Sequence, residues 1–154
     1  MKIQKAIEIN APPEKIWQFF VEPEKVLQWC ITFKKFEYSG IQRSGKGTPL
    51  YIEEEAGGRL SKMRFDVIEW KENEKFAIRM VSGGTYKSYD QCFSVEPTPS
   101  GCKVSFMEEI VLPYYYSARL RTGRWSSLAK EGMVSFSNHG QVGRRRRKPC
   151  LPGL

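Results

Sequence analysis

Ile7-Glu8-Ile9-Asn10-Ala11-Pro12-Pro13-Glu14-Lys15-Ile16-Trp17 contains the change of period that decides how this chain is built. Upstream, Ile3, Lys5, Ile7 and Ile9 point one way and Gln4, Ala6 and Glu8 the other, the two-residue period of a half-buried strand. The alternation stops at the two prolines. Proline suits the first turn of a helix, because its φ is already helical and its missing N–H would have no partner there. Ile16, Trp17, Phe20 and Val21 then share one helical face, which predicts a helix over 13–21. Pro23 interrupts it, and residues 24–29 restart as a second short helix with Val26, Leu27 and Cys30 on the apolar side.

From Ile31 the two-residue period returns and persists for some eighty residues, predicting strands near 32–39, 48–55, 59–69, 75–82, 87–96 and 103–112. Gly45-Lys46-Gly47, Gly57-Gly58, Lys71 to Glu74, Gly83-Gly84 and Pro97 to Gly101 punctuate them with turn formers. Connections this short imply an antiparallel meander. Alternation marks Met63, Phe65 and Val67, then Phe76, Ile78 and Met80, then Tyr89, Gln91, Phe93 and Val95 as inward sets. In the last strand either Val104, Phe106 and Glu108 or Ser105, Met107 and Glu109 face in, since both sets contain apolar groups. Leu120, Trp125, Leu128, Met133 and Phe136 recur at helical spacing, predicting a helix over 119–136 that Gly123 and Gly132 weaken. The expected fold class is α+β.

The 154 residues suit one domain, and a 40% hydrophobic, 13% aromatic composition is enough for a core and excludes global disorder. No apolar run is long enough to span a bilayer, and the N-terminus alternates where a signal peptide would carry an apolar core. The expectation is a soluble, cytoplasmic protein without a transmembrane segment. The net charge of +8 lies at one end: residues 1–116 hold 16 basic and 16 acidic side chains, while residues 117–154 hold 9 basic ones and only Glu131. The basic residue also switches from mostly Lys to mostly Arg at that point, as a divergent terminus or a shifted reading frame would produce. The chain therefore divides into a domain over 1–136 and a basic tail, expected to be disordered, over 137–154. Arg144 to Lys148 has no interleaved aromatic residue, so it is read as a solvated tail and not as a specific nucleic-acid site.

Cys30, Cys92, Cys102 and Cys150 show no metal-ligand spacing, and the single His139 is remote from them in sequence, so neither a metal nor a cofactor is expected. They read as the unpaired thiols of a reduced protein. Gly40 to Thr48 approaches a phosphate-binding loop, but Gly47 takes the hydroxyl position and Thr48-Pro49 leads into a strand, so a hairpin connection is expected.

The opening stretch, followed by Glu22-Pro23-Glu24-Lys25 and Trp29, and later by Ser100-Gly101-Cys102-Lys103-Val104, resembles the START-like (SRPBCC) superfamily near its polyketide cyclase/dehydrase branch. The resemblance implies a helix-grip fold: a curved antiparallel sheet of about seven strands, two short helices after strand one, and a C-terminal helix across a cavity. In relatives such cavities take lipids, sterols, polyketides, quinones or plant hormones. A bent sheet cannot fill its concave side with one layer of side chains, so an apolar pocket is the physical expectation. Here the C-terminal helical pattern fades by Phe136, earlier than the family pattern.

The resemblance leads to the expectation of a carrier or sensor for a hydrophobic small molecule or lipid. A cyclase or aromatase-type enzyme is the alternative, and a partner-binding module a third. Trp17, Phe20, Trp29 and Trp125, with Met63, Phe65, Ile78, Met80 and Phe93, are the candidate apolar lining. Tyr51, Tyr89, Gln91 and Glu108 are the candidates to orient a polar end. An inward Glu on the last strand would have a raised pKa and could act as a base in an aldol-type cyclisation, but a solvent-facing or Arg-paired carboxylate is the simpler expectation. A monomer or weak dimer is expected.

Overall fold

The computed structural model describes residues 1–113, which form β1 (Lys2–Ile9), α1 (Pro13–Val21), α2 (Pro23–Trp29), β2 (Phe33–Tyr38), β3 (Pro49–Ala56), β4 (Arg59–Lys71), β5 (Lys75–Gly83), β6 (Ser88–Thr98) and β7 (Gly101–Val111). The helix expected over 119–136, the tail over 137–154, Trp125, His139 and Cys150 lie outside the described residues. Prolines open both helices at the first turn, as the period change implied.

All seven strands pair antiparallel in one sheet ordered β1-β7-β6-β5-β4-β3-β2. Strands β2 to β7 follow one another as a meander, while β1 pairs with β7, Ile9 opposite Cys102 and Ile3 opposite Glu108. The helix pair carries the chain from one sheet edge to the other. Register shifts at Phe33/Lys35, Arg64/Phe65 and Val67/Glu69 interrupt the ladders, and bulges of this kind bend a strand and increase its twist. The sheet curls into a half-barrel, the α+β helix-grip architecture.

One face of the curl is mostly apolar. It is built from Leu50 and Ile52 of β3, Met63, Phe65 and Val67 of β4, Phe76 and Ile78 of β5, Phe93 and Val95 of β6, and Val104 and Phe106 of β7, all buried. The ambiguity of β7 is thereby resolved: Cys102, Val104, Phe106, Glu108 and Ile110 face in, and Lys103 and Glu109 face out.

Helices α1 and α2 cover one end of this face. Phe20 stacks on Phe93 at 4.8 Å, Trp29 meets Phe93 edge-on at 5.9 Å, and Phe93 lies 4.9 Å from Phe106. Two polar anchors fix the helices: the Trp29 indole donates to the Phe19 carbonyl at 2.8 Å, and the Tyr38 hydroxyl donates to the Val21 carbonyl at 2.6 Å. Trp17 is buried against Trp70 and Phe76, in edge-on contacts of 5.5 and 6.4 Å.

The β6–β7 turn is tighter than the sequence suggested. Thr98 pairs with Gly101, which leaves a two-residue connection and sets Cys92 opposite Met107. Gly101 has φ of 151°, and a Cβ there would run into the carbonyl oxygen of Ile9, so glycine lets β1 close on this corner. The loop between β2 and β3 is the expected hairpin connection: Thr48 is buried, its hydroxyl donates to the Gly45 carbonyl at 2.7 Å, and a strand follows.

Candidate functional site

Beyond the aromatic end under the helices, the inward face changes character. On β6, Val95 and Phe93 give way to Gln91 and Tyr89, and on β7, Val104 and Phe106 give way to Glu108. Gln91 stands directly opposite Glu108 in the ladder. Its amide donates to the Tyr89 hydroxyl at 2.6 Å and to Glu108 Oε2 at 3.3 Å, and the Tyr89 hydroxyl lies 3.4 Å from the same oxygen. The Tyr89 ring is held edge-on by Phe65 at 5.5 Å and by Tyr86 at 5.2 Å.

Glu54 of β3, four strands from β7, joins this group on the same inward face. It follows Leu50 and Ile52 in the inward set and is only 4% exposed. Thr32 and Tyr86 hydrogen-bond to its carboxylate, while Oε2 is buried with no hydrogen-bond partner among the described residues. Cys30, at the end of α2, lies within the field of both carboxylates, with its thiol 3.7 Å from the Thr32 hydroxyl.

Burial dominates the electrostatics, because an ionised carboxylate loses its hydration there. It pushes the Glu54 carboxyl up to about 7, with the Glu108 charge adding to the rise and the Thr32 and Tyr86 bonds opposing it. Burial also pushes Glu108 up to about 6 against the opposing bonds from Gln91 and Tyr89. The Cys30 thiol is pushed up to about 12, and the Tyr89 and Tyr86 hydroxyls rise above their ordinary value, in each case chiefly through burial. The buried polar residues among those described are Thr48, Glu54, Gln91 and Glu108, with no Lys, Arg or His.

The expected site residues therefore separate. Tyr89, Gln91 and Glu108 come together as one hydrogen-bonded group. Met63, Phe65 and Ile78 are buried on the same face, and Met80 is half-buried against it. Phe20, Trp29 and Phe93 form the aromatic seam under the helices. Trp17 also borders a separate groove of about 630 Å³ between α1, the β2–β3 loop and the β4–β5 turn, where Tyr38, Arg43 and Trp70 join it.

Two expectations are corrected. Tyr51 lies on the opposite face from Leu50, Ile52 and Glu54, its hydroxyl donating to Glu53 at 2.7 Å and Lys35 lying over its ring at 5.2 Å. Adjacent strand residues face opposite ways, so Tyr51 and Glu54 cannot both point inward. Glu108 is buried, at 8% exposed, and its partners among the described residues are the neutral Gln91 and Tyr89, with no Arg.

The sequence offers Glu53-Glu54-Glu55 together as available carboxylates, and the alternation Leu50, Ile52, Glu54 is the signal that separates Glu54 from the other two. Its neighbours are indeed outward: Glu53 takes the Tyr51 hydroxyl, and Glu55 pairs with Lys34 at 3.1 Å. Arg79 is outward too, forked onto Asp90 at 2.9 to 3.1 Å.

A curled antiparallel sheet with an apolar inner face and a few converging polar groups defines a START-like half-barrel. The chain matches the polyketide cyclase / dehydrase and lipid transport family over residues 1–133 and belongs to it. Among solved structures it is similar to a START superfamily protein from Mycobacterium smegmatis, at 18% identity and a TM-score of 0.69, covering 89% of this chain and 92% of that one. TTHA0849 from Thermus thermophilus is similar at 15% identity and a TM-score of 0.76, covering 94% of this chain and 100% of that one. Major latex-like protein 151 from Panax ginseng matches at 10% identity and a TM-score of 0.73, with 92% and 97% covered. At these identities the likeness is one of fold. No curated protein matches the chain. No helix among the described residues is long and apolar enough to cross a membrane.

Proposed function

We propose that the protein binds a hydrophobic small molecule or lipid with one polar end on the concave face of the sheet, acting as a carrier or sensor. The observation that carries this reading is the buried carboxylate oxygen of Glu54, without a partner among the described residues and set beside Glu108, Tyr89 and Gln91 in an otherwise apolar interior. An unsatisfied buried polar atom costs about 1–3 kcal/mol and more when charged, a penalty that a ligand group bonded to it would offset. Apolar burial would supply the remaining affinity at about 25 cal/mol per Å². The lipid transport in the family description supports the same reading. On it, residues 1–136 form the ligand-binding unit, with the basic tail separate. The free Cys30, Cys92 and Cys102 support a cytoplasmic location.

Native mass spectrometry of the purified protein, followed by denaturing extraction, tests this. A stoichiometric apolar compound is the expected result. An empty protein that gains no thermal stability from a panel of lipids and polyketides would overturn it.

A second reading is favoured by one specific observation: carboxyl groups at about 6 and about 7 lie where a general base works best near neutral pH. A cyclase using Glu108 as base would lose turnover in Glu108→Gln while keeping its fold. Equal turnover in that variant would remove Glu108 from the chemistry.

A further inference from the structure

Among the described residues, the polar end of the site offers its carboxylates only neutral hydrogen-bond donors and no positive charge. Glu108 receives only neutral donors, the Gln91 amide at 3.3 Å and the Tyr89 hydroxyl at 3.4 Å, both long. Gln91 makes its short bond, at 2.6 Å, to Tyr89 and not to the carboxylate. Glu54 has Thr32 and Tyr86 at its carboxylate, again both neutral, and its Oε2 is buried and unpartnered among the described residues. No basic side chain is buried among the described residues. A buried carboxylate is normally paired with a cation, and here two of them share one interior without one.

We infer that this site recognises an amphipathic ligand through a protonated amine held between Glu54 and Glu108, the apolar body of the ligand lying along the inner face of β4 to β6. The assignment rests on the ligand-binding reading above and specifies its chemistry. An ammonium brings three N–H donors and one positive charge. It can therefore bond the free oxygen of Glu54 and an oxygen of Glu108 together, whereas a hydroxyl brings one donor and no charge. A ligand carboxylate would face two like charges and is rejected.

The groups that face this point are Glu54 from β3, Glu108 from β7, Tyr89 from β6, Tyr86 from the β5–β6 connection and Cys30 from the end of α2. Among these described groups only the two carboxyls titrate near neutral pH, because burial pushes the hydroxyls and the thiol higher. Ammonium binding favours their ionised forms, so affinity for an amine rises from about pH 5 to about pH 8, where an alkylamine is still protonated.

Decylamine, decanol and decanoate share a chain and differ only in the head, so titrating each into the full chain below its micelle threshold separates the possibilities. Decylamine is expected to bind about tenfold or more tighter than decanol, with decanoate weakest. In the isosteric double variant Glu54→Gln/Glu108→Gln the amine preference should collapse towards parity. The rise of decylamine affinity with pH in the unaltered protein provides the same test without a substitution. Equal binding of amine and alcohol overturns the assignment while leaving the apolar site in place. Preference for decanoate overturns it outright. Failure of all three to bind overturns the ligand-binding reading itself.

Discussion

Glu54 on β3 and Glu108 on β7 stand four positions apart in the strand order, yet each buried carboxyl lies in one shared interior and Glu54 feels the charge of Glu108. In a flat sheet four strand spacings amount to roughly 19 Å. The curl of the half-barrel brings the two walls towards each other, and the polar end of the inner face results from that curvature.

The burial of Glu54 makes stability depend on pH in a definite direction. Its folded pKa of about 7 lies above the ordinary carboxyl value of 4.5, so the folded form holds the proton more tightly. The contribution to stability is complete below the unfolded pKa and is lost as pH rises through about 7. Glu54→Gln, which is never ionised, should therefore gain stability over the parent as pH rises from about 5 to about 8, by on the order of 2 kcal/mol. Urea unfolding of both proteins across that range checks this, and a pH-independent difference would contradict it.

Phe93 joins the helices to the sheet, with Phe20, Trp29, Phe76 and Phe106 around its ring. Phe93→Ala should cost about 3–5 kcal/mol, since surrounding rings cannot collapse into the space. Phe93→Leu should cost less. Equilibrium denaturation of the two variants is the measurement, and a loss under about 1 kcal/mol for alanine would show that the seam is not packed as described.

Tyr89 and Tyr51 should behave oppositely. Tyr89→Phe deletes the hydroxyl that accepts from Gln91 and reaches Glu108, and should weaken binding of an apolar dye such as Nile red while destabilising the fold by about 1–2 kcal/mol. Tyr51→Phe removes only the outer bond to Glu53 and should leave dye binding unchanged. Dye titration of both variants decides it, and sensitivity to Tyr51 in place of Tyr89 would put the site on the wrong face.

The Cys30 thiol, with its pKa near 12, should resist alkylation in the native protein at about pH 8 and react once denatured. Cys102, buried in β7 with a pKa also raised by desolvation, should follow it. Peptide mapping after maleimide treatment measures both. Rapid native labelling of Cys30 would show that the end of α2 opens to solvent.

Gly101→Ala should destabilise the corner where β1 meets β7, because the added Cβ has no room beside the Ile9 carbonyl and the φ of 151° strains any side chain. Thermal unfolding should show a fall of several degrees, on the order of 1–3 kcal/mol, and an unchanged midpoint would count against the close approach.

The prolines at 12, 13 and 23 and the alternation of Met63, Phe65 and Val67, or of Tyr89, Gln91 and Phe93, were legible without coordinates. Helix and strand periods are local properties, written in residues a few positions apart. Element order, the meander and most of the inward sets follow from those local patterns, and the opening motif points to the family. Three things waited for the tertiary structure: the facing of β7, whose two alternating sets are both apolar enough to be buried; the outward turn of Tyr51; and the entry of Glu54 into the interior beside Glu108. Each depends on which face of the sheet closes on itself and how far it curls. Those outcomes arise from bulges, register and helix packing between residues dozens of positions apart, and they decide where a carboxylate is dehydrated and therefore what the site can recognise.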